Sequence, residues 1–177
     1  MVLHNEIFFD PVTFGNSNYD RTQRIGVEFG DTIDIMKFVN IDFLDKLEFF
    51  TNYSWQDPEF GKGANKRKDI PMAPRYQVSS GFSTEFWKHY DWSITGRYVG
   101  PRFAINDVQN VTSPVKQYYT LDTKLAYRHK NFEIYTGVNN ITNTFYDAFT
   151  SKSTFSNTKS HFPAPERNYI WGMNVKF

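Results

Sequence analysis

Four carboxylates, Glu28, Glu48, Asp122 and Glu133, and three cations, Arg24, Arg97 and Lys124, are the groups in this sequence that could most plainly do chemistry. Carboxylate pairs hydrolyse glycosides when they face each other about 5–10 Å apart across a sugar site. Nothing in the spacing of these four sets such a distance. His4, His89, His129 and His161 are dispersed, with no pair at metal-ligand spacing. Gly61-Lys62-Gly63 lacks the preceding strand and following helix that a phosphate loop requires. Asp31, Asp34, Asp42 and Asp45 are too sparse for a calcium loop. No Ser/His/Asp or Cys/His arrangement has a recognisable context. The sequence therefore predicts no enzyme, no metal and no cofactor, and the seven charges read more simply as the lining of a wet surface.

The elements that carry them alternate. Aromatic residues make up 19% of the chain, yet its mean hydropathy is -0.58. That combination arises when apolar and polar residues interleave one for one, as on a half-buried strand. In the final segment Tyr169, Trp171, Met173, Val175 and Phe177 share one face, while Asn168, Gly172, Asn174 and Lys176 share the other with Ile170. The same period predicts strands over 3–9, 23–30, 46–56, 75–84, 92–100, 119–127 and 132–139. Arg24, Glu28, Glu48, Arg97, Asp122, Lys124 and Glu133 all fall on the faces rich in Gly and Ser, which suit a water-filled lumen and not a dry core. Short connections, 87–91 and 128–131, alternate with long ones, 57–74, 101–118 and 140–167. Short turns at one rim and long loops at the other are the build of an outer-membrane β-barrel. The segment 31–45 breaks this rhythm: Ile33, Met36, Val39 and Phe43 are spaced for a short amphipathic helix capping the short-turn rim. Gly15-Asn16-Ser17-Asn18 reads as a turn. Asn65-Lys66-Arg67-Lys68 reads as a solvated loop.

The net charge of +1 favours no nucleic-acid partner, and Cys is absent, which excludes disulfides and thiolate metal sites. No run approaches the roughly 18 apolar residues of a spanning helix, so membrane entry would be by strands. The N-terminal residues show no signal peptide. An exported chain needs one, so the expectation is that this sequence is not the whole translation product.

Several segments, in order, resemble TonB-dependent outer-membrane receptors. Asn18-Tyr19-Asp20-Arg21-Thr22-Gln23-Arg24-Ile25-Gly26-Val27-Glu28 is similar to that family's N-x-x-K-T-R-x-x-G-x-E strand. Ile70-Pro71-Met72-Ala73-Pro74-Arg75-Tyr76 resembles its proline-flanked return into the next strand. Tyr118 to Asp122 resembles its Y-x-x-x-D strand start, and Val138-Asn139-Asn140-Ile141-Thr142-Asn143 its V-x-N segment. Pro163-Ala164-Pro165-Glu166-Arg167-Asn168-Tyr169 resembles the opening of its last strand. Gly172, Val175 and Phe177 match its barrel-assembly signal, although Ile170 stands where a polar residue is preferred.

The resemblance implies an all-β fold, an antiparallel transmembrane β-barrel segment of about eight strands within a larger barrel of about twenty-two. Residues 1–177 would be the C-terminal part, without plug or TonB box. It further implies an outer-membrane location, contact with membrane lipid, and TonB and the barrel-assembly machinery as partners of the full-length parent. The function implied is energy-coupled uptake of a bulky scarce nutrient, a ferric siderophore or cobalamin, with the small-molecule ligand itself unknown. Two other readings stay open on the residues alone: a self-contained eight-stranded structural or adhesion barrel, and a soluble carbohydrate-binding β-sandwich.

Overall fold

Period-two alternation becomes one large antiparallel sheet. The computed structural model describes residues 2–10 and 15–176. Its strands are β1 (Val2–Asp10), β2 (Gly15–Asp34), β3 (Leu44–Phe60), β4 (Tyr76–Phe86), β5 (Tyr90–Val99), β6 (Tyr118–His129), β7 (Phe132–Asn139), β8 (Asp147–Lys152), β9 (Lys159–Pro163) and β10 (Asn168–Val175). Eight of them form a sheet in the order β1-β2-β3-β4-β5-β6-β7-β10, and β8 and β9 form a separate hairpin. Each pairing in the large sheet is between neighbours in chain order, except that β10 returns to β7 across the β8–β9 insertion. Among the described residues β1 and β10 do not pair, so the sheet is open and not a closed eight-stranded barrel. Nor is there a second large sheet facing the first, as a sandwich needs.

The ladder fixes the faces. Val27 stands opposite Trp55, Trp55 opposite Tyr76, and Tyr53 opposite Val78. The row continues through Phe82 and Ile94, Trp92 and Leu125, Leu125 and Thr136, and Thr136 and Trp171. Directly opposed residues share a face, so the apolar residues of β2 to β7 and β10 form one continuous band. Among the described residues nothing covers it: Val27 is 61% exposed and Trp171 85%. A contiguous apolar surface of this extent marks contact with a membrane or another apolar partner. No helix among the described residues is long and apolar enough to cross a membrane, a statement that does not bear on strands. The band does not run cleanly into β1, where Ile7 stands opposite Asn18.

Three expectations are corrected. The helix over 31–45 is absent: β2 runs on to Asp34, with Ile33 paired to Phe49 and Asp34 to Glu48. Only Ile35–Lys37 form a single 3-10 turn, capped by Asp34 accepting from the Met36 amide at 3.1 Å. Continuing the ladder satisfies more backbone groups than a short helix with frayed ends would. The turn placed at Gly15–Asn18 lies inside β2. The segment 140–167 is not plain loop, since it contains the β8–β9 hairpin.

The buried apolar residues are divided between wall and loops. Ile70, Ala104 and Val115 are buried in the long loops, with Phe60 at the end of β3 beside them, while Val99 and Ala126 are buried in β5 and β6. β3 contributes to this end of the molecule. Its pairing with β4 stops at Trp55, and 56–60 run beyond it.

Candidate functional site

The register places Arg24, Glu28, Glu48, Arg97, Asp122, Lys124 and Glu133 on the face opposite the apolar band. Glu28 stands opposite Ser54 and Ser54 opposite Gln77. Glu48 opposes Ser83, Ser83 opposes Ser93, and Ser93 opposes Lys124. Asp122 opposes Thr95, Arg97 opposes Thr120, and Glu133 opposes Arg128. They share a face, and of the seven, Glu28 and Arg97 come together in one hollow while the others take separate partners. Arg24 pairs with Glu6 at 2.7 Å and Glu48 with Lys46 at 2.9 Å. Arg128 bridges Asp91 and Glu133, and Lys124 lies 4.3 Å above the Tyr135 ring. Glu28 and Arg97 line a shallow hollow of about 460 Å³ with Asn52, Ser54, Gln77 and Ser79. Exposed ion pairs of this kind contribute about 0–1 kcal/mol each. Their chemistry is that of a hydrated, charge-mixed wall.

Gly and apolar residues on this face explain each other. Tyr135 lies against Gly172, and Phe50 lies across Gly81, where an added Cβ would come 2.8 Å from its Cζ. Ile170, the apolar exception in the final strand, covers Gly137, where an added Cβ would stand 3.1 Å from Ile170 Cγ1. A large side chain over a glycine restores the packing that the missing side chain forfeits. Gly172 and Val175 lie in β10; Phe177 lies outside the described residues.

The strongest polar construction is at the long-loop rim. Asn140, with φ at 53°, adopts the left-handed conformation that Asn tolerates. Its amide donates to Asp122 Oδ1 at 2.7 Å, and its side-chain Oδ1 accepts from the Thr144 amide at 2.9 Å. Arg167 donates from Nε and Nη2 to the Ile141 carbonyl at 3.0 and 2.6 Å. The Arg167 amide donates to Asn143 Oδ1 at 3.0 Å. Residues that are distant in sequence thus tie β6, the turn after β7, and the entry to β10 into one knot.

A second network joins the loops to each other. Arg75 forks to Asp57 at 2.6 Å and Asp69 at 2.6 Å. The hydrogen bonds that Arg75 donates to Asp69 raise the Arg75 pKa, burial opposes the rise, and the nearby carboxylates add to it. Asn110 Oδ1 accepts from the Asp69 amide at 2.7 Å. Asp107, 1% exposed, accepts from the Val111 amide, the Thr112 amide and the Thr112 hydroxyl at 2.6–3.0 Å. Arg102, 6% exposed, donates to the Asp147 carbonyl at 2.7 Å and sits 5.5 Å from the Tyr118 ring centroid. Sequence reasoning missed Arg102 and Asn110 because their partners Asp147 and Asp69 are 45 and 41 residues away, and Asp107 because its local partners Val111 and Thr112 lie in an irregular loop with no marked pattern. Between loop 100–117 and the β8–β9 hairpin is a cleft of about 340 Å³ whose lining includes Lys116, Tyr146, Lys159 and His161.

The histidines are less dispersed in space than in sequence. His89 and His129 stand at adjacent turns with ring centroids 5.4 Å apart. Among the described residues no group of three or more His, Asp or Glu is placed to hold a metal.

An apolar band on one face, a charged and glycine-rich opposite face, and unequal rims are the pattern of a β-barrel wall. The sequence profile described as "TonB dependent receptor-like, beta-barrel" matches residues 3–141, and the chain belongs to that family, one of receptors and not of enzymes. A search of curated proteins finds no match. Among solved structures, the siderophore receptor PiuA from Acinetobacter baumannii is 17% identical with a TM-score of 0.70, the alignment covering 98% of this chain and 24% of that one. The ferric yersiniabactin uptake receptor FyuA from Yersinia pestis is 18% identical with a TM-score of 0.72, covering 92% and 25%. The copper transporter OprC is 17% identical with a TM-score of 0.71, covering 99% and 26%. At such identities the likeness establishes the fold alone. The chain spans about a quarter of the length of these three proteins.

Proposed function

We propose that this chain is the C-terminal part of the β-barrel of an outer-membrane receptor for TonB-coupled uptake of a bulky scarce nutrient, such as a ferric siderophore or cobalamin. One observation carries the reading: a single ladder register sorts the wall into a continuous apolar band and a continuous charged, Gly- and Ser-rich face. The apolar band meets lipid, and Arg24, Glu28, Glu48, Arg97, Asp122, Lys124 and Glu133 line the lumen. The long loops capture the ligand at the outer rim. The two open edges, β1 and β10, pair with further strands of the same barrel, because an unpaired edge leaves backbone groups unsatisfied in lipid. Gly172, Val175 and Phe177 form the terminal signal read by the barrel-assembly machinery. TonB acts on a plug supplied by the rest of the receptor, and no nucleic acid takes part.

The test is uptake by cells carrying the whole receptor, supplied with radiolabelled ferric complexes and cobalamin. Uptake that stops when TonB is removed or the inner membrane is uncoupled supports the reading. Ligand entry that continues without TonB contradicts it.

A further inference from the structure

Charge is not spread evenly over this chain. The three long loops, 61–75, 100–117 and 140–167, hold ten Lys and Arg against four Asp and Glu. The whole chain is only +1, so its remainder is net negative. A cationic rim above an acidic remainder concentrates anions at the loops and speeds their encounter.

The cleft between loop 100–117 and the β8–β9 hairpin turns that broad field into a site. Lys159 Nζ donates to the Ser113 carbonyl at 2.9 Å and approaches Ser113 Oγ at 3.2 Å. An ammonium has three donors, so one is left for a ligand. Lys116, exposed, lines the same cleft. One carboxylate, Asp147, shares the lining but is largely withdrawn from solvent: its Oδ2 contacts His161 Nδ1 at 2.6 Å and accepts from Thr150 Oγ1 at 3.3 Å, its Oδ1 is buried without a hydrogen-bond partner, and 12% of the side chain is exposed, so two lysines face one carboxylate. Phe145 and Tyr146 contribute flat apolar surface to the lining. Tyr146 is braced by stacking on Tyr118, with ring centroids 4.0 Å apart and planes 14° from parallel. Burial, then Tyr118 and Asp122, push the Tyr146 phenol above its usual range against the pull of Arg97, so it stays a hydroxyl donor at neutral pH.

We propose that this cleft binds an anionic ligand group with a planar portion, so that the receptor selects negatively charged complexes over neutral or cationic ones. The inference rests on the receptor reading above and narrows its ligand class. At about 340 Å³ the cleft lies at the small end of ligand pockets. It admits one arm of a bulky complex: the ring lies against Tyr146, and Lys116 and Lys159 meet the charge. The same cations could meet phosphates of a lipid headgroup. A concave site braced between two loops favours a soluble ligand.

The experiment uses outer-membrane vesicles bearing the whole receptor, either unaltered or with Lys116→Gln and Lys159→Gln combined. The probes are ferric tris-catecholate and ferric citrate as anions, and a ferric tris-hydroxamate and cyanocobalamin as uncharged competitors. Expected is binding of an anionic probe that weakens roughly tenfold, ~1.4 kcal/mol, in the double variant and weakens as salt rises. Lys116→Arg with Lys159→Arg should restore it, which separates lost charge from lost folding. Binding of an uncharged probe alone, with TonB-dependent uptake intact, overturns the anion assignment and leaves the receptor reading standing. Anion binding unchanged in the double variant overturns the cleft. So does a double variant that alters adhesion to anionic phospholipid vesicles but not probe binding. No binding by any probe overturns the proposal, and loss of TonB-dependent uptake as well removes the receptor reading with it.

Discussion

Ile94 and Ser93 are adjacent in β5 yet belong to different surroundings. Ile94 stands between Phe82 and Thr123 on the apolar band, and Ser93 between Ser83 and Lys124 on the charged face. An arginine on a lipid-facing strand costs about 2–4 kcal/mol near the bilayer midplane, and little in a wet lumen. Ile94→Arg should therefore sharply reduce the folded fraction of the receptor in detergent or membranes, whereas Ser93→Arg should leave it nearly unchanged. Equal losses from the two, measured as heat-modifiable protein on a gel, would contradict the assignment of faces. Alternation made these positions legible in the sequence. The pairing of Tyr135 with Gly172 was not, because it depends on which residues oppose each other across β7 and β10.

Among the elements, the long loops differ most from what sequence alone conveys. Pro, Gly, Ser and Asn mark them as irregular, and irregular segments usually run over the surface with few contacts. Here they hold Ile70, Ala104 and Val115, three of the six buried apolar residues among those described. Asp69 and Asn110 are 41 residues apart, and Arg102 and Asp147 are 45 apart, so no local window reveals their pairing. The β8–β9 hairpin was hidden for a similar reason, since its two strands are only six and five residues long. The segment 31–45 misled in the opposite sense: helical spacing of Ile33, Met36, Val39 and Phe43 was real, but the β2–β3 ladder overrode it. Asp107 organises loop 100–117 with three accepted hydrogen bonds. Asp107→Ala removes the acceptor shared by those part-buried donors, a loss of about 1–3 kcal/mol in local stability. Hydrogen exchange across 100–117 should then quicken roughly tenfold or more while exchange in β5 and β6 stays slow. Unchanged protection of 100–117 would show that the loop is held by something other than Asp107.

At the scale of the whole molecule, the fold is a wall without closure. Among the described residues β1 and β10 each have one neighbour, and the apolar band has no second layer. A single sheet with both edges open and one face apolar invites pairing and apolar contact, and the proposed receptor supplies both as further strands and lipid. The chain has no Cys, so single cysteines placed along β5 from Trp92 to Tyr98, in a receptor freed of any other Cys, report on their own positions. The decisive measurement is the reactivity of each with a water-soluble maleimide in the membrane-embedded receptor. The account predicts strict alternation, with positions 93, 95 and 97 labelled and positions 92, 94, 96 and 98 protected by lipid. Uniform labelling along the strand, or protection of the odd-numbered positions, would contradict it.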